Sequence, residues 1–218
     1  MLYNVLDLYC CQGAAMDGYR RAGLGALLGV DKDPQPRYPF GFYQGDAIAF
    51  VKENLDLIRT LFCFIHASPP CQHDSDCQRI QGNDHPDLIE PTREALELTG
   101  LPYVIENVGG AEAKLKNPVE LCGAMFGLHT YRHRYFECGG GFSFKAPEHP
   151  KHVAKTVKMG RRLGPGDFYH AVGNFTNVDY VRRDMDVPWM NRDGIRECIP
   201  PAYTEYIGKR VMAFLMAH

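Results

Sequence analysis

The chain has 218 residues, 45% of them apolar, and a formal net charge of −2. That length and apolar content support one hydrophobic core with a small appendage, and the absence of a run of about 20 apolar residues argues against a membrane-spanning helix. A charge this close to neutral excludes a protein that coats nucleic acid through bulk charge, so any such contact has to come from a local cluster.

Along the chain, Asn4 to Tyr9 reads as a buried strand and residues 13–22 as a helix that begins at Gly13. Residues 26–31 predict a second strand ending on Asp31, where the carboxylate stands as in βαβ nucleotide sites that hold ribose hydroxyls. A helix is expected over 47–59 and a strand over 61–66, leading into Ala67-Ser68-Pro69-Pro70-Cys71-Gln72. The stretch Gln72 to Pro86 is polar and lacks apolar periodicity. It predicts a mobile loop, and connections this long in compact domains are functional or disordered. A helix over 87–99 and a strand over 102–106 ending on Glu106 follow, then a turn and strand over 117–123 in which Cys122 reads as structural. Tyr203, Tyr206, Ile207, Val211, Phe214 and Leu215 fall at helical spacing and predict a core-packing helix over 202–217. Strands alternating with helices predict a doubly wound α/β fold, Rossmann-like, with a mostly parallel sheet covered on both faces.

Eight cysteines stand at 10, 11, 63, 71, 77, 122, 138 and 198. With no signal-peptide pattern and two of them adjacent, they are expected to be reduced and cytosolic, mostly as small buried apolar side chains. Cys71 departs from that pattern because a strand and a rigid Pro-Pro turn deliver its thiol, while the strand ending on Glu106 delivers a carboxylate to the same sheet edge. Cys71, His73, Cys77 and His85 also raise zinc binding, but the chain has no Cys-x-x-Cys pair and no metal site is expected. From Gly139 to Gly166 the chain carries Lys145, Lys151, Lys155, Lys158, Arg161 and Arg162 against the single acid Glu148, a cationic stretch suited to phosphate contact or to solvation.

Taken in order, these segments resemble the C5-cytosine-specific DNA methyltransferase family, in particular a small, phage-like member. The Pro-Cys loop at Cys71 and the Glu106-Asn107-Val108 strand end match its catalytic motifs. Asp7 to Ala15 resembles its donor-binding motif, Gly29 to Pro34 and Gly45-Asp46-Ala47 its acidic motifs, Arg132-His133-Arg134 its Arg-x-Arg motif, and Ile199 to Gly208 its last motif. The likeness spans residues 4–137 and about 188–216. It implies a class I S-adenosylmethionine-dependent methyltransferase fold, with residues 1–138 and 188–218 forming the catalytic domain and 139–187 a short target-recognition region. It also implies the roles: Cys71 attacks cytosine C6, Glu106 holds the N3 edge, and Arg132 and Arg134 supply positive charge that favours the thiolate. Asp7, Tyr9, Cys10, Gly13, Ala14, Asp31, Lys32, Asp46, Ala47 and Pro69 are expected to hold S-adenosylmethionine. Gln72, Ser75, Lys151, Lys155, Lys158, Arg161 and Arg162 are expected to contact DNA. A recognition region this short reads few base edges, so a site of about two to four base pairs is expected.

The expected setting is a monomer acting on double-stranded DNA in the cytoplasm of a bacterial or phage-infected cell, with a cognate restriction nuclease or another modification enzyme as candidate partner. Cys11 and Ala14 stand where the family carries glycines, and Glu197 where it carries Asn. A modified sulfonium donor, which would place a different group on C5, is therefore the alternative within the enzyme reading. A catalytically silent DNA-binding module is the alternative outside it.

Overall fold

The computed structural model describes residues 3–70, 87–158 and 160–217. Strands β1 (Asn4–Leu8), β2 (Gly25–Asp31), β3 (Gly41–Gln44), β4 (Phe64–Ala67), β5 (Tyr103–Asn107), β6 (Val119–Leu121) and β7 (Arg134–Gly139) form one sheet in the order β3-β2-β1-β4-β5-β7-β6. The first five run parallel, and β7 is antiparallel to both β5 and β6. The helices are α1 (Ala14–Arg21), α2 (Ala47–Glu53), α3 (Leu55–Leu61), α4 (Ile89–Thr99), α5 (Val178–Asp184), α6 (Arg192–Glu197) and α7 (Pro201–Ala217).

Successive strand residues serve opposite faces, as a pleated strand requires. Val5, Phe64 and Val104 pack with Tyr19 of α1 and Tyr203, Ile207 and Val211 of α7. Their neighbours Leu6, Ile65 and Ile105 pack with Phe50, Ile58 and Leu96 of α2, α3 and α4. Helices thus cover both faces, as the alternation of the sequence predicts. α1 lies close against α7 because Gly18 has no side chain: a Cβ there would collide with Thr204 Oγ1 and the Pro201 carbonyl.

Four local features depart from expectation. The single helix over 47–59 is two, because Asn54 donates from Nδ2 to the Phe50 carbonyl and ends α2 one turn early. Helix α3 then runs through Leu61, which delays the following strand to Phe64. β3 pairs only with β2 at the sheet edge and is largely exposed, so it carries no apolar pattern to announce it. β7 contains charged residues, and it is tolerated mid-sheet because buried Glu137 meets buried Arg93 of α4 through two hydrogen bonds of 2.6 and 2.7 Å. Two buried charges remain stable only when paired and hydrogen-bonded in this way.

The described residues of 140–177 contain no helix and only an isolated bridge between Thr156 and Phe168. Phe142 and Phe144 join the core on the α1 and α7 side. Tyr169, Ala171 and Phe175 form a third apolar cluster with Ala14, Met190, Ile195 and Cys198. The segment is therefore packed onto the sheet domain through two apolar contacts. Among the described residues no helix is long and apolar enough to cross a membrane.

Candidate functional site

β1 is flanked by β2 on one side and β4 on the other, and this reversal of strand order opens a crevice at the strand carboxyl ends, where open α/β sheets bind ligands. A cleft of about 290 Å³ lies there. Asp7, Tyr9, Cys10, Gly13 and Ala14 line it, together with Gln12, Ser68, Glu197, Cys198 and Ile199, none of which the sequence marked as ligand-binding.

The loop after β1 has an unusual backbone: Tyr9, Cys11 and Gly13 all take positive φ, at 58°, 47° and 83°. For two non-glycine residues this is sparsely populated conformation, which persists where surroundings over-determine it. Those surroundings are long-range. The Cys11 N–H donates to Asp31 Oδ2, the indole of Trp189 donates to the Gln12 carbonyl, and the Gln12 side chain exchanges hydrogen bonds with Asn191. Gly13 is required twice over, since its φ is positive and a Cβ would sit 2.9 Å from the Tyr38 ring. Cys11 also lines the cleft, and its thiol faces Glu197 Oε2, 3.8 Å away. The Ala14 methyl packs in the third apolar cluster.

Asp7 is buried, and its Oδ2 has no hydrogen-bond partner among the described residues. Burial, and then the charge of Asp31, hold its carboxyl well above the ordinary range. An orphaned buried acceptor of this kind calls for an external partner. Asp31 itself receives backbone N–H groups on both oxygens, from Cys11 and Asp33. Two acids that line the cleft, Asp7 and Glu197, with Asp31 bonded to the N–H of the lining residue Cys11, suit a cationic ligand with hydroxyl groups. S-adenosylmethionine, with its ammonium and sulfonium charges and ribose, fits that donor set. Asp31, Lys32, Asp46, Ala47 and Pro69 are not among the cleft-lining residues. Lys32 is exposed, Asp46 caps α2 through the Ala49 N–H, and the Ala47 side chain is buried in the core on the α2 side.

Cys71, Gln72 and Ser75 lie outside the described residues, as do the expected loop over 72–86 and His73, Cys77 and His85. The turn that leads to Cys71 is described up to Pro70. Asn107, at the end of β5, donates from Nδ2 to the Pro69 carbonyl at 3.1 Å and accepts the Val108 N–H at 2.9 Å. The Glu-Asn pair thus fastens the Pro-Pro turn to the strand that carries Glu106. Ser68 adds a second tie through a chain of side chains: Tyr19 to His66 at 2.9 Å, His66 to Ser68 at 2.8 Å, and Ser68 to Glu106. If Glu106 is ionised it can only accept, so the Ser68 hydroxyl donates to it, His66 Nε2–H donates to Ser68, and Tyr19 O–H donates to Nδ1. His66 is held neutral by burial, its pKa pushed down to about 3.

Glu106 is buried with Arg134 Nε 2.8 Å from Oε1, an ion pair whose alignment falls short of a hydrogen bond. Burial raises the Glu106 pKa more than Arg134, Arg132 and Ser68 lower it, so the net direction is upward. Arg132 is placed differently from a base-contacting group. Its guanidinium donates to the carbonyls of Ala171, Ile195, Arg196 and Cys198 at 2.8–3.2 Å. Arg132 and Arg134 would face the same way on an extended strand, but Arg132 has φ of 34° and the chain turns between them. Arg132 therefore anchors the segments around 171 and 195–198, and Arg134 alone meets Glu106. In the cationic stretch Lys151, Lys155, Lys158, Arg161 and Arg162 are exposed, and Lys158 and Arg161 line a groove of about 220 Å³ with His170 and Asn177.

No family model matches this chain, and the search of curated proteins returns no match. Solved structures do match. A candidate DNA modification methyltransferase encoded within an E. coli prophage superposes with a TM-score of 0.63 at 15% identity, covering 99% of this chain and 100% of the other. The S. pombe Dnmt2 methyltransferase superposes with a TM-score of 0.63 at 13% identity, covering 98% and 99%. With the strand order above, the chain has the Rossmann-like class I methyltransferase fold.

Proposed function

We propose that the chain transfers a methyl group from S-adenosylmethionine to C5 of cytosine in double-stranded DNA, with Cys71 as covalent nucleophile. The observation that carries this reading is the tie between Asn107 and Pro69, which holds the turn before Cys71 against the buried Glu106–Arg134 pair beside an acid-lined cleft. The names of the two structural neighbours, a candidate DNA modification methyltransferase and a methyltransferase, support the same chemistry.

Cytosine C5 is a weak nucleophile until a group adds to C6. The Cys71 thiolate forms a bond to C6, and the electron pair of the C5–C6 double bond moves toward C5 and into the ring. Glu106, with its raised pKa, donates a proton to N3 and neutralises the charge that accumulates there. When bound, S-adenosylmethionine supplies the electrophilic methyl group that C5 takes up. A base then removes the C5 proton, the C5–C6 double bond re-forms, the thiolate leaves, and N3 returns its proton to Glu106. Splitting one difficult substitution into addition and elimination is the gain of covalent catalysis. Arg134 stays paired with Glu106 and orients it, and Asp7, Asp31 and Glu197 hold the donor. The target base has to leave the stack to reach Cys71, and residues 139–187 act as the recognition region, their exposed cations holding phosphates.

The test is incubation of the chain with S-adenosylmethionine and either cytosine or 5-fluorocytosine duplexes. Expected are a cytosine heavier by one methyl group, and a covalent protein–DNA adduct with the fluorinated duplex that disappears in Cys71→Ser. Turnover retained by Cys71→Ser would reject the nucleophile, another added mass would point to a modified sulfonium donor, and salt-sensitive binding without any adduct would leave a silent DNA-binding module.

A further inference from the structure

Away from the cleft, four metal-ligating side chains meet at one point: Cys122, His133, His149 and His152. One ligand atom from each lies within 4.8 Å of all the others. Cys122 Sγ is 3.4 Å from His152 Nε2, and His133 Nε2 is 3.4 Å from His149 Nε2. Zn–S and Zn–N bonds of roughly 2.3 and 2.0–2.1 Å in a tetrahedron require ligand atoms about 3.3–3.6 Å apart. Two opposite edges already have that length.

We propose that Cys122, His133, His149 and His152 form a structural zinc site that staples the first part of residues 139–187 to the β6–β7 hairpin. Three imidazoles and one thiolate are a borderline-soft set that suits zinc, and four protein ligands close the coordination sphere, as in structural sites. The surrounding groups are arranged for ligation. The backbone N–H groups of Ala124 and Met125 face the Cys122 sulfur, while burial, the larger effect, raises its pKa. His149 Nδ1 lies 3.0 Å from the Pro150 carbonyl, so it carries the proton and leaves the Nε2 lone pair for the metal. Stacking against Tyr131, with ring centroids 3.7 Å apart, orients His152, and the Tyr131 hydroxyl is bonded to the Ala154 carbonyl. Glu120, 3.3 Å from His133 Nε2, adds negative charge that offsets Arg134 next along the chain. Binding forms four metal–ligand bonds and releases the Cys122 thiol proton to solvent.

The placement gives the site a purpose. Cys122 follows β6 and His133 precedes β7, while His149 and His152 lie in a segment with no regular secondary structure of its own. A metal there fixes that segment, and it holds His133 beside Arg134. The inference does not depend on the catalytic reading, since its readout is metal content.

The full chain, purified without chelator, should carry about one zinc per molecule by elemental analysis. Cobalt(II) substitution should give the visible d–d bands of a tetrahedral site together with a thiolate charge-transfer band. His149→Ala/His152→Ala, which changes two exposed side chains, should lower zinc affinity at least tenfold, and chelator should lower Tm in the parent chain but not in this variant. Cys122→Ser should remove the charge-transfer band; because Cys122 is buried, the histidine variant serves as the independent measure. A chain that takes up neither zinc nor cobalt, or one whose metal content the histidine variant leaves unchanged, overturns the proposal.

Discussion

Glu106 is buried against Arg134, with the charge of Arg132 acting from farther off, yet desolvation prevails and its pKa is raised. Its folded-state value lies above that of the unfolded chain. Ionisation therefore contributes nothing below about pH 4, where both states are protonated, and destabilises the fold increasingly as pH rises through the unfolded and then the folded value. Glu106→Gln should accordingly gain stability relative to the parent chain between about pH 4 and pH 7, read as a difference in Tm that grows with pH. The same variant should lose roughly 10²- to 10⁴-fold in turnover, because an amide cannot donate the proton to N3. A pH-independent Tm difference would show that Glu106 is not desolvated as described. At this scale the sequence exposed the residue types and hid their directions. Arg132 and Arg134 look equivalent by spacing, and only the left-handed backbone at Arg132 separates an anchor from a site residue.

Among the elements, α1 and α7 show how a chemical site depends on packing remote from it. α1 starts at Gly13 in the cleft and is pressed onto α7 at Gly18. Gly18→Ala forces a methyl into Thr204 and the Pro201 carbonyl. Such overpacking costs about 1–3 kcal/mol, which in a chain of this size lowers Tm by roughly 2–12 °C. An unchanged Tm would mean that the helices do not approach as closely as described. The amphipathic pattern of α7 and the apolar runs of β1, β4 and β5 were legible because burial on one face or both leaves a periodic trace. β3 at the edge and charged β7 left none. Trp189 and Asn191 escaped the sequence reading, as did the tie of Asn107 to Pro69, since each rests on hydrogen bonds to a distant carbonyl or side chain, and such partners have no fixed spacing.

For the whole molecule the question is how a chain with net charge −2 engages a polyanion. The exposed lysines and arginines of residues 151–162 concentrate positive charge on one segment. If they hold phosphates, Lys155→Ala/Lys158→Ala should weaken binding to any duplex alike and reduce the slope of log K against log salt by roughly 2, about one per lost contact. An unchanged slope would move the DNA interface elsewhere on the molecule.

By itself the sequence determined the α/β alternation, the order of the motifs and the placement of Glu106 and the Pro-Pro turn at strand ends, because strand periodicity and turn chemistry are local properties. Only the tertiary structure decided which side chains meet. It tied Gln12 to Asn191 and Trp189, turned Arg132 away from Glu106, and brought Cys122 to three histidines spread over positions 133 to 152. Those encounters depend on how the segment after β7 folds back onto the sheet, and no short-range pattern in a sequence encodes the distance between residues that chain folding alone makes neighbours.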